Sequence, residues 1–256
     1  MVQILQQGNT RLQALTTIMD THSIKVTVIT VAYNAKDALI KTMKSVGEQD
    51  YPNLEYIIVD GSSSDGTVAL LQSYTGKLDL WTSEPDRGIY DAMNKGVAKA
   101  SGEYCIFMNA GDCFADKSAV SHVAEELVHA DVVYGDIIKD GQLKRSLSPR
   151  NCHKMYYCHQ AVFTRTSCLK DFPFDISHRF SADFKQAKQL FLAGKTFRQT
   201  DIPIAIFDTT GISNTQRSKG LLDNIRVICE VDSLAGKARL LPRLVFTYLL
   251  CRLRGK

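Results

Sequence analysis

Apolar and polar positions change period along this chain in a regular order. The run Lys25-Val-Thr-Val-Ile-Thr-Val-Ala-Tyr-Asn34 is β-branched and almost unbroken, which predicts a strand covered on both faces. From Ala35 to Gln49 the period lengthens. Leu39, Ile40, Met43 and Val46 then fall on one side of a helix, and Tyr51-Pro52-Asn53 ends it. Glu55 to Asp60 repeats the buried-strand pattern, Gly61 to Gly66 is a polar turn, and Thr67 to Tyr74 is helical. Leu78 to Trp81 predicts a third strand, Ile89 to Ala100 a third helix, and Glu103 to Met108 a fourth strand. Strands alternating with helices of this length specify an α/β fold with a mostly parallel sheet and right-handed crossovers.

The second half is less regular. Asp131 to Gly135 predicts a strand, and Asp140-Gly141 a hairpin turn into Leu143 to Leu147. Residues 151–182 read as loops, Phe184 to Ala193 as a helix, Pro203 to Phe207 as a strand, and Ser218 to Leu234 as a helix. No internal repeat or linker divides the chain. The expected organisation is an N-terminal arm at 1–24, one α/β domain at 25–215, and C-terminal helices ending in a basic amphipathic tail at 216–256.

Charge changes the picture only at the end. The net charge is +4, too small to indicate a nucleic-acid partner. After Asp232 there is no acid, while Lys237, Arg239, Arg243, Arg252, Arg254 and Lys256 all follow. Leu240, Leu241, Leu244, Val245, Tyr248 and Leu249 lie among them. Such a helix suits the interface of an anionic membrane, although the same leucines could pack on the domain. The stretch Leu244–Cys251 lacks charge over far fewer than the ~20 residues needed to span a bilayer. Seven cysteines without a Cys-x-x-Cys pair fit neither a zinc site nor a disulfide framework, including Cys152 and Cys158 beside His153 and His178. With no secretory leader pattern, the expected location is the cytoplasm, peripheral on the inner face of the membrane.

Candidate chemistry gathers where the predicted strands end. Asn34, Asp60, Glu84 to Asp86 and Asn109 to Asp112 all follow strands, and parallel sheets bind ligands beyond those ends. Carboxylates there suit a divalent cation chelated by phosphates. Neither a Walker loop nor a Gly-x-Gly-x-x-Gly follows the first strand, which lowers the case for a P-loop enzyme or a dinucleotide dehydrogenase. Asp65 is open to a second reading as a helix cap. Asp91 is equally suited to holding Arg87 or Lys95 one turn away.

Four blocks together carry a resemblance: Val28 to Asn34, Val59 to Thr67, Glu84 to Gly96, and Ser101 to Asp112. In this order they resemble the family 2 inverting glycosyltransferases of the GT-A fold. His159-Gln160, Ala182-Asp183 and Thr210-Gly-Ile-Ser213 are similar to later landmarks of bacterial members that build surface polysaccharide. The resemblance implies a nucleoside diphosphate sugar donor carrying UDP or GDP, and a glycan or lipid-linked acceptor. It implies that Thr30, Ala32 and Tyr33 frame the base, that Asp60 accepts a hydrogen bond from it, and that Asp86 and Asn94 lie beside ribose and diphosphate. Asp112 matches the last acid of the Asp-x-Asp metal motif and implies Mg²⁺ or Mn²⁺. The block here reads Asn109-Ala-Gly-Asp112, so an amide and a glycine replace acids and the site is weaker. Asn109 retains the ability to hydrogen-bond a sugar hydroxyl.

Asp183 matches the position of the base that deprotonates the acceptor hydroxyl; its other reading is an acid favoured by a helix N-terminus. His159 is open to metal ligation, to a phosphate contact or to a loop hydrogen bond, and Gln160 to an acceptor or phosphate contact. Two other functions share the sheet-end site. One is a non-catalytic sugar-nucleotide-binding protein; the other is a sugar nucleotidyltransferase, which wants a Gly-rich basic loop that Asn34-Ala-Lys36 supplies poorly.

Overall fold

The computed structural model describes residues 24–207 and 217–253. Residues 1–23 of the N-terminal arm, Thr210 to Ser213, Arg254 and Lys256 lie outside the described residues. The first elements are β1 (Val26–Ala32), α1 (Lys36–Gly47), β2 (Leu54–Asp60), α2 (Thr67–Ser73), β3 (Leu80–Ser83), α3 (Ile89–Lys99) and β4 (Tyr104–Phe107). Next come β5 (Cys113–Phe114), α4 (Ala119–Leu127), β6 (Val132–Lys139), β7 (Gln142–Lys144), a 3-10 turn at His159–Ala161 and β8 (Val162–Arg165). The remainder is α5 (Thr166–Asp171), α6 (Ala182–Leu192), β9 (Phe197–Phe207), α7 (Arg217–Val231) and α8 (Leu234–Leu253). The sheet runs β3-β2-β1-β4-β8-β6-β9-β5, with β7 paired to β6.

β3, β2, β1 and β4 are parallel, and their register decides where the site lies. Ala32 is level with Asp60, and Asp60 with Ser83. The chain therefore leaves these strands along one edge, where the polar residues following each strand meet.

Both faces of this half are dry because alternate β1 residues serve two cores. Val26 and Val28 join Tyr56, Ile58, Leu39, Met43 and Val123 on the face covered by α1, α2 and α4. Ile29 and Val31 join Ile57, Val59, Met93 and Val97 on the face covered by α3. Each fully buried aliphatic side chain contributes about 1.5–3 kcal/mol. The buried face of α1 differs from expectation. It uses Leu39, Thr42, Met43 and Val46, while Ile40 is exposed.

The region read as loops holds more structure than the sequence suggested. β8 runs antiparallel between β4 and β6, and α5 follows it at once. β9 begins at Phe197, six residues before the apolar run that announced it, because its first half pairs with β6 through alternating, half-exposed positions. At the C-terminus α8 lies against α7. Leu240 and Leu244 are buried with Val227, Ile228 and Phe184, so these tail leucines pack on the protein. The apolar residues of α8 left exposed are Leu234, Val245, Phe246, Leu249, Leu250 and Leu253.

Candidate active site

The strand ends open into a cleft of about 1370 Å³. Ala32 and Tyr33 line it from β1, Asp86 from the loop after β3, Asn109 and Asp112 from the loop after β4, and His159 and Gln160 from the 3-10 turn. It is lined also by the loop before α6 and by α7, through Ile176, Arg179, Phe180, Arg217, Lys219 and Leu221.

Close packing holds the first wall together. A Cβ on Gly61 would lie 2.5 Å from Asp86 Oδ2 and 3.2 Å from Tyr33 Cδ2, so only glycine lets these three segments meet. Asp86 Oδ1 accepts the Gly88 N–H at 2.8 Å, which fixes its loop. Asp60 is buried just behind this wall. Its carboxylate accepts the Ser63 hydroxyl, the Ser63 N–H at 2.9 Å and the Ser83 hydroxyl at 2.6 Å. Asp65 caps two helices at once: Oδ1 accepts the Thr67 N–H at 3.0 Å and Oδ2 the Lys36 N–H at 2.9 Å. The Thr67 hydroxyl and these N–H groups hold its carboxyl below the ordinary aspartate value. Asp91 accepts from the Arg87 backbone and guanidinium, with Lys95 at 3.7 Å, so it organises its own helix start.

Besides Asp60, whose carboxylate is taken by Ser63 and Ser83, two expected donor contacts are engaged elsewhere. The buried Thr30 hydroxyl donates to the Met108 carbonyl at 2.7 Å and lies 3.0 Å from Tyr56 Oη. Asn94 clamps the backbone of Phe174, donating to its carbonyl at 2.8 Å and accepting its N–H at 2.9 Å. Both residues brace the walls of the cleft and neither lines it.

The Asn109–Asp112 loop is fixed by a residue that sequence reasoning missed. Thr42 on α1 donates its hydroxyl to the Asp112 carbonyl at 2.8 Å and accepts the Gly111 N–H at 2.9 Å. Gly111 has φ +105, where a side chain would be strained. Threonine on an otherwise apolar helix face was the available signal. The loop aims Asp112 at Gln160, whose amide donates to Oδ2 at 3.0 Å. Asn109 Oδ1 is buried and has no hydrogen-bond partner among the described residues.

Asn109 Nδ2 lies 3.0 Å from His159 Nε2. With the amide donating, the imidazole proton sits on Nδ1, which faces Asp183 Oδ2 at 3.4 Å. Asp183 lies in the first turn of α6, where its Oδ1 accepts the Tyr90 hydroxyl at 3.0 Å and the Phe184 N–H at 2.8 Å. Burial raises this carboxyl, but the His159 contact, the Phe184 N–H and the Tyr90 hydroxyl outweigh it and hold it below the ordinary aspartate value. Tyr90 is pushed well above 10 by its own burial and by Asp183, so it remains a donor. The sequence pointed to Asp183 and His159 separately; their contact, and the part of Tyr90, come only from the fold.

One buried carboxylate and one orphaned amide oxygen suit a divalent cation that takes its remaining ligands from a phosphate ligand and water. A second acidic group, Asp175, His178 and Glu230, has its ligand atoms within 4.8 Å of one another. The Lys185 ammonium lies 2.6 Å from both carboxylates, so this cluster is already charge-compensated.

Comparison with known proteins gives a consistent result. The Glycosyl transferase family 2 model matches residues 27–197. An uncharacterized glycosyltransferase of Mycobacterium tuberculosis H37Rv is 32% identical over 216 residues, covering 78% of this chain and 81% of the relative. The PGL/p-HBAD biosynthesis glycosyltransferase of Mycobacterium bovis BCG is 30% identical over 173 residues, covering 61% and 66% of the two chains. Among solved structures, Staphylococcus aureus TarS 1–349 with UDP-GlcNAc superposes with TM-score 0.65 at 19% identity, covering 84% of this chain and 69% of that one. The Pyrobaculum calidifontis mannosyltransferase PcManGT, with GDP-Man and Mn²⁺, does so with TM-score 0.65 at 17% identity, covering 81% and 64%. These two likenesses establish the GT-A fold.

Proposed function

The chain belongs to glycosyl transferase family 2 and is a glycosyltransferase, and from that premise we propose that it transfers a sugar, with inversion, from a UDP or GDP sugar to a glycan or lipid-linked hydroxyl in bacterial surface polysaccharide synthesis. The nucleotide choice is supported by the UDP-GlcNAc and GDP-Man of the two structural neighbours. The pathway is supported by the PGL/p-HBAD biosynthesis relative and by the Bacillus subtilis relative named as a teichuronic acid biosynthesis glycosyltransferase, 39% identical over 90 residues. Residues 25–215 serve as the catalytic domain in this reading.

The observation that carries it is the placement of Asp183. Asp183 is not itself among the residues that line the cleft; its carboxylate borders it through His159 and Tyr90, which do line it, and His159 links it to Asn109. Direct displacement at an anomeric carbon needs the nucleophile and the leaving diphosphate on opposite sides. In this arrangement the strand-end wall holds the donor. Tyr33 offers a half-open ring beside the base, and Asp86 lies toward the ribose. Asp60 acts from behind the wall, where it sets the Gly61–Ser63 backbone. Asp183 accepts the proton of the acceptor hydroxyl late in the transition state, when that hydroxyl has become acidic. His159 and Tyr90 are positioning residues that hold the carboxylate charged and aimed.

Mg²⁺ or Mn²⁺ would be held by Asp112 and Asn109 Oδ1, where it would neutralise charge on the departing diphosphate. The tail is proposed to rest on an anionic membrane. The exposed Phe246, Leu249, Leu250 and Leu253 share α8 with Arg239, Arg243 and Arg252, which supports this. No helix among the described residues is long and apolar enough to cross a membrane.

The test is Asp183→Asn. Transfer should fall by about 10²–10⁴-fold, while donor affinity, read by isothermal titration, stays within about twofold. Undiminished turnover removes Asp183 as the base. Donor binding without turnover in the native protein favours a sugar-nucleotide-binding protein instead.

A further inference from the structure

The charges lining the cleft come from different elements. The loops after β3 and β4 supply Asp86 and Asp112, and Arg87 and Asp91 at the start of α3 pair with each other. The loop before α6 and the start of α7 supply the cations Arg179, Arg217 and Lys219. The elements bearing them are stitched together: the Phe180 N–H donates to Asp223 Oδ2 at 3.0 Å, and the Ser181 hydroxyl to the Gly220 carbonyl at 3.3 Å. Arg179 therefore stands beside the Arg217–Lys219 turn of α7.

No carboxylate neutralises these cations among the described residues. The acids nearest in the chain have other partners: Asp175 and Glu230 hold Lys185, and Asp223 holds His178 and Arg226. Arg87, the remaining cation of the cleft, is different, since Asp91 takes it at 3.3 Å. Three like charges gathered on a concave wall repel one another, and the arrangement is relieved when an anion enters. Arginine in particular suits the paired oxygens of a phosphate. Phe180 beside them supplies a flat apolar surface of the kind that stacks on a sugar ring.

The position tells which substrate the anion belongs to. Arg179 lies four residues before Asp183, and the start of α6 follows directly from its loop. The base marks the acceptor side of the reaction, whereas the donor wall is built from β1, β2 and the loops after β3 and β4. We propose that Arg179, Arg217 and Lys219 form an acceptor subsite that binds a phosphate or diphosphate carried by the acceptor. This rests on the transferase reading above and adds the chemical class of its second substrate. The phosphate has two sources, a lipid diphosphate or a soluble sugar phosphate.

The experiment compares the native chain with the triple variant Arg179→Gln, Arg217→Gln, Lys219→Gln, whose folding is checked by circular dichroism and melting temperature. UDP and GDP are titrated first. Farnesyl diphosphate and glucose 1-phosphate are then titrated with the better nucleotide at saturation. The native protein should bind at least one of the two phosphates, and the triple variant should bind it at least tenfold more weakly. Nucleotide affinity should change less than twofold. Preference for farnesyl diphosphate identifies the lipid source, and preference for glucose 1-phosphate the soluble one. Equal phosphate affinity in both proteins, no phosphate binding by the native protein, or a parallel fall in nucleotide affinity overturns the subsite. Failure of both nucleotides to bind would instead sink the donor reading. The phosphate titrations, then run without nucleotide, would still decide the subsite by the difference between the two proteins. If the triple variant fails to fold, Arg179→Gln alone carries the same comparison with a threefold loss expected.

Discussion

The two ends of the molecule are held by different forces. In the β3-β2-β1-β4 half every residue of β1 is buried, and the strand-end walls of the cleft rest on two apolar layers. The α7–α8 unit presents a small apolar cluster around Val227, Ile228, Leu240 and Leu244. Much of its attachment is ionic. His178 is buried between Asp223 and Glu230, Lys185 joins Asp175 to Glu230, and Lys188 meets Asp232 at 2.8 Å. Burial is non-directional and fixes the parallel half as a rigid shelf. Ion pairs are directional and set angle and register, and the wall built by α6 and α7 depends on both.

The largest expected effect comes from Lys188→Met. Lys188 and Asp232 are almost fully enclosed, so removing the ammonium strands a buried carboxylate and costs about 3–5 kcal/mol. Hydrogen exchange should show α7 and α8 losing protection while β1 and β2 keep theirs. A uniform loss across the chain would break the contrast between the two ends.

A titration sharpens the other side of the comparison. Burial alone raises the Glu55 carboxyl, but hydrogen bonds from Ser101 and Thr27, with Lys25 alongside, bring it from 4.5 down to about 2. A depressed folded value means that the stabilisation is complete above pH 4.5 and fades as pH falls toward 2. The shift corresponds to about 3 kcal/mol. Glu55→Gln should lower the melting temperature at pH 7, and the gap from the native protein should close between pH 4.5 and 2. A gap independent of pH would show that the carboxylate charge is not what Thr27 and Ser101 are holding.

The smallest effect concerns the surface. Exposed apolar residues of the parallel half are scattered, as with Ile40, Leu80 and Ile89, whereas α8 carries several in sequence. The double variant Phe246→Ser, Leu249→Ser should reduce sedimentation with anionic vesicles several-fold and leave melting unchanged. Unchanged sedimentation would place any membrane contact elsewhere.

These differences also explain what was legible in the sequence. Parallel strands buried on both faces announce themselves as Val-Thr-Val-Ile and Tyr-Ile-Ile-Val, and their ends follow directly, so Tyr33, Asp86, Asn109 and Asp112 could be named in advance. Side-chain direction was less readable. Thr30 and Asn94 occupy the expected segments, yet their polar atoms turn toward Met108 and Phe174. The wall at α6 and α7 was opaque because it is made of long-range ionic contacts. Nothing in the spacing of Arg179, Lys219 and Asp223 shows that a loop and a helix some forty residues apart will touch. In the tail, the period marked a helix, but not that Leu240 and Leu244 belong to the covered face.

α6 bears Asp183 in its first turn and Lys185 and Lys188 within the next. The lysines rivet this short rod to the trailing helices, so the aim of the Asp183 carboxylate is inherited from the chain's far end. A fragment cut after β9 would keep the parallel shelf whole and leave that carboxylate on a lever with no fulcrum.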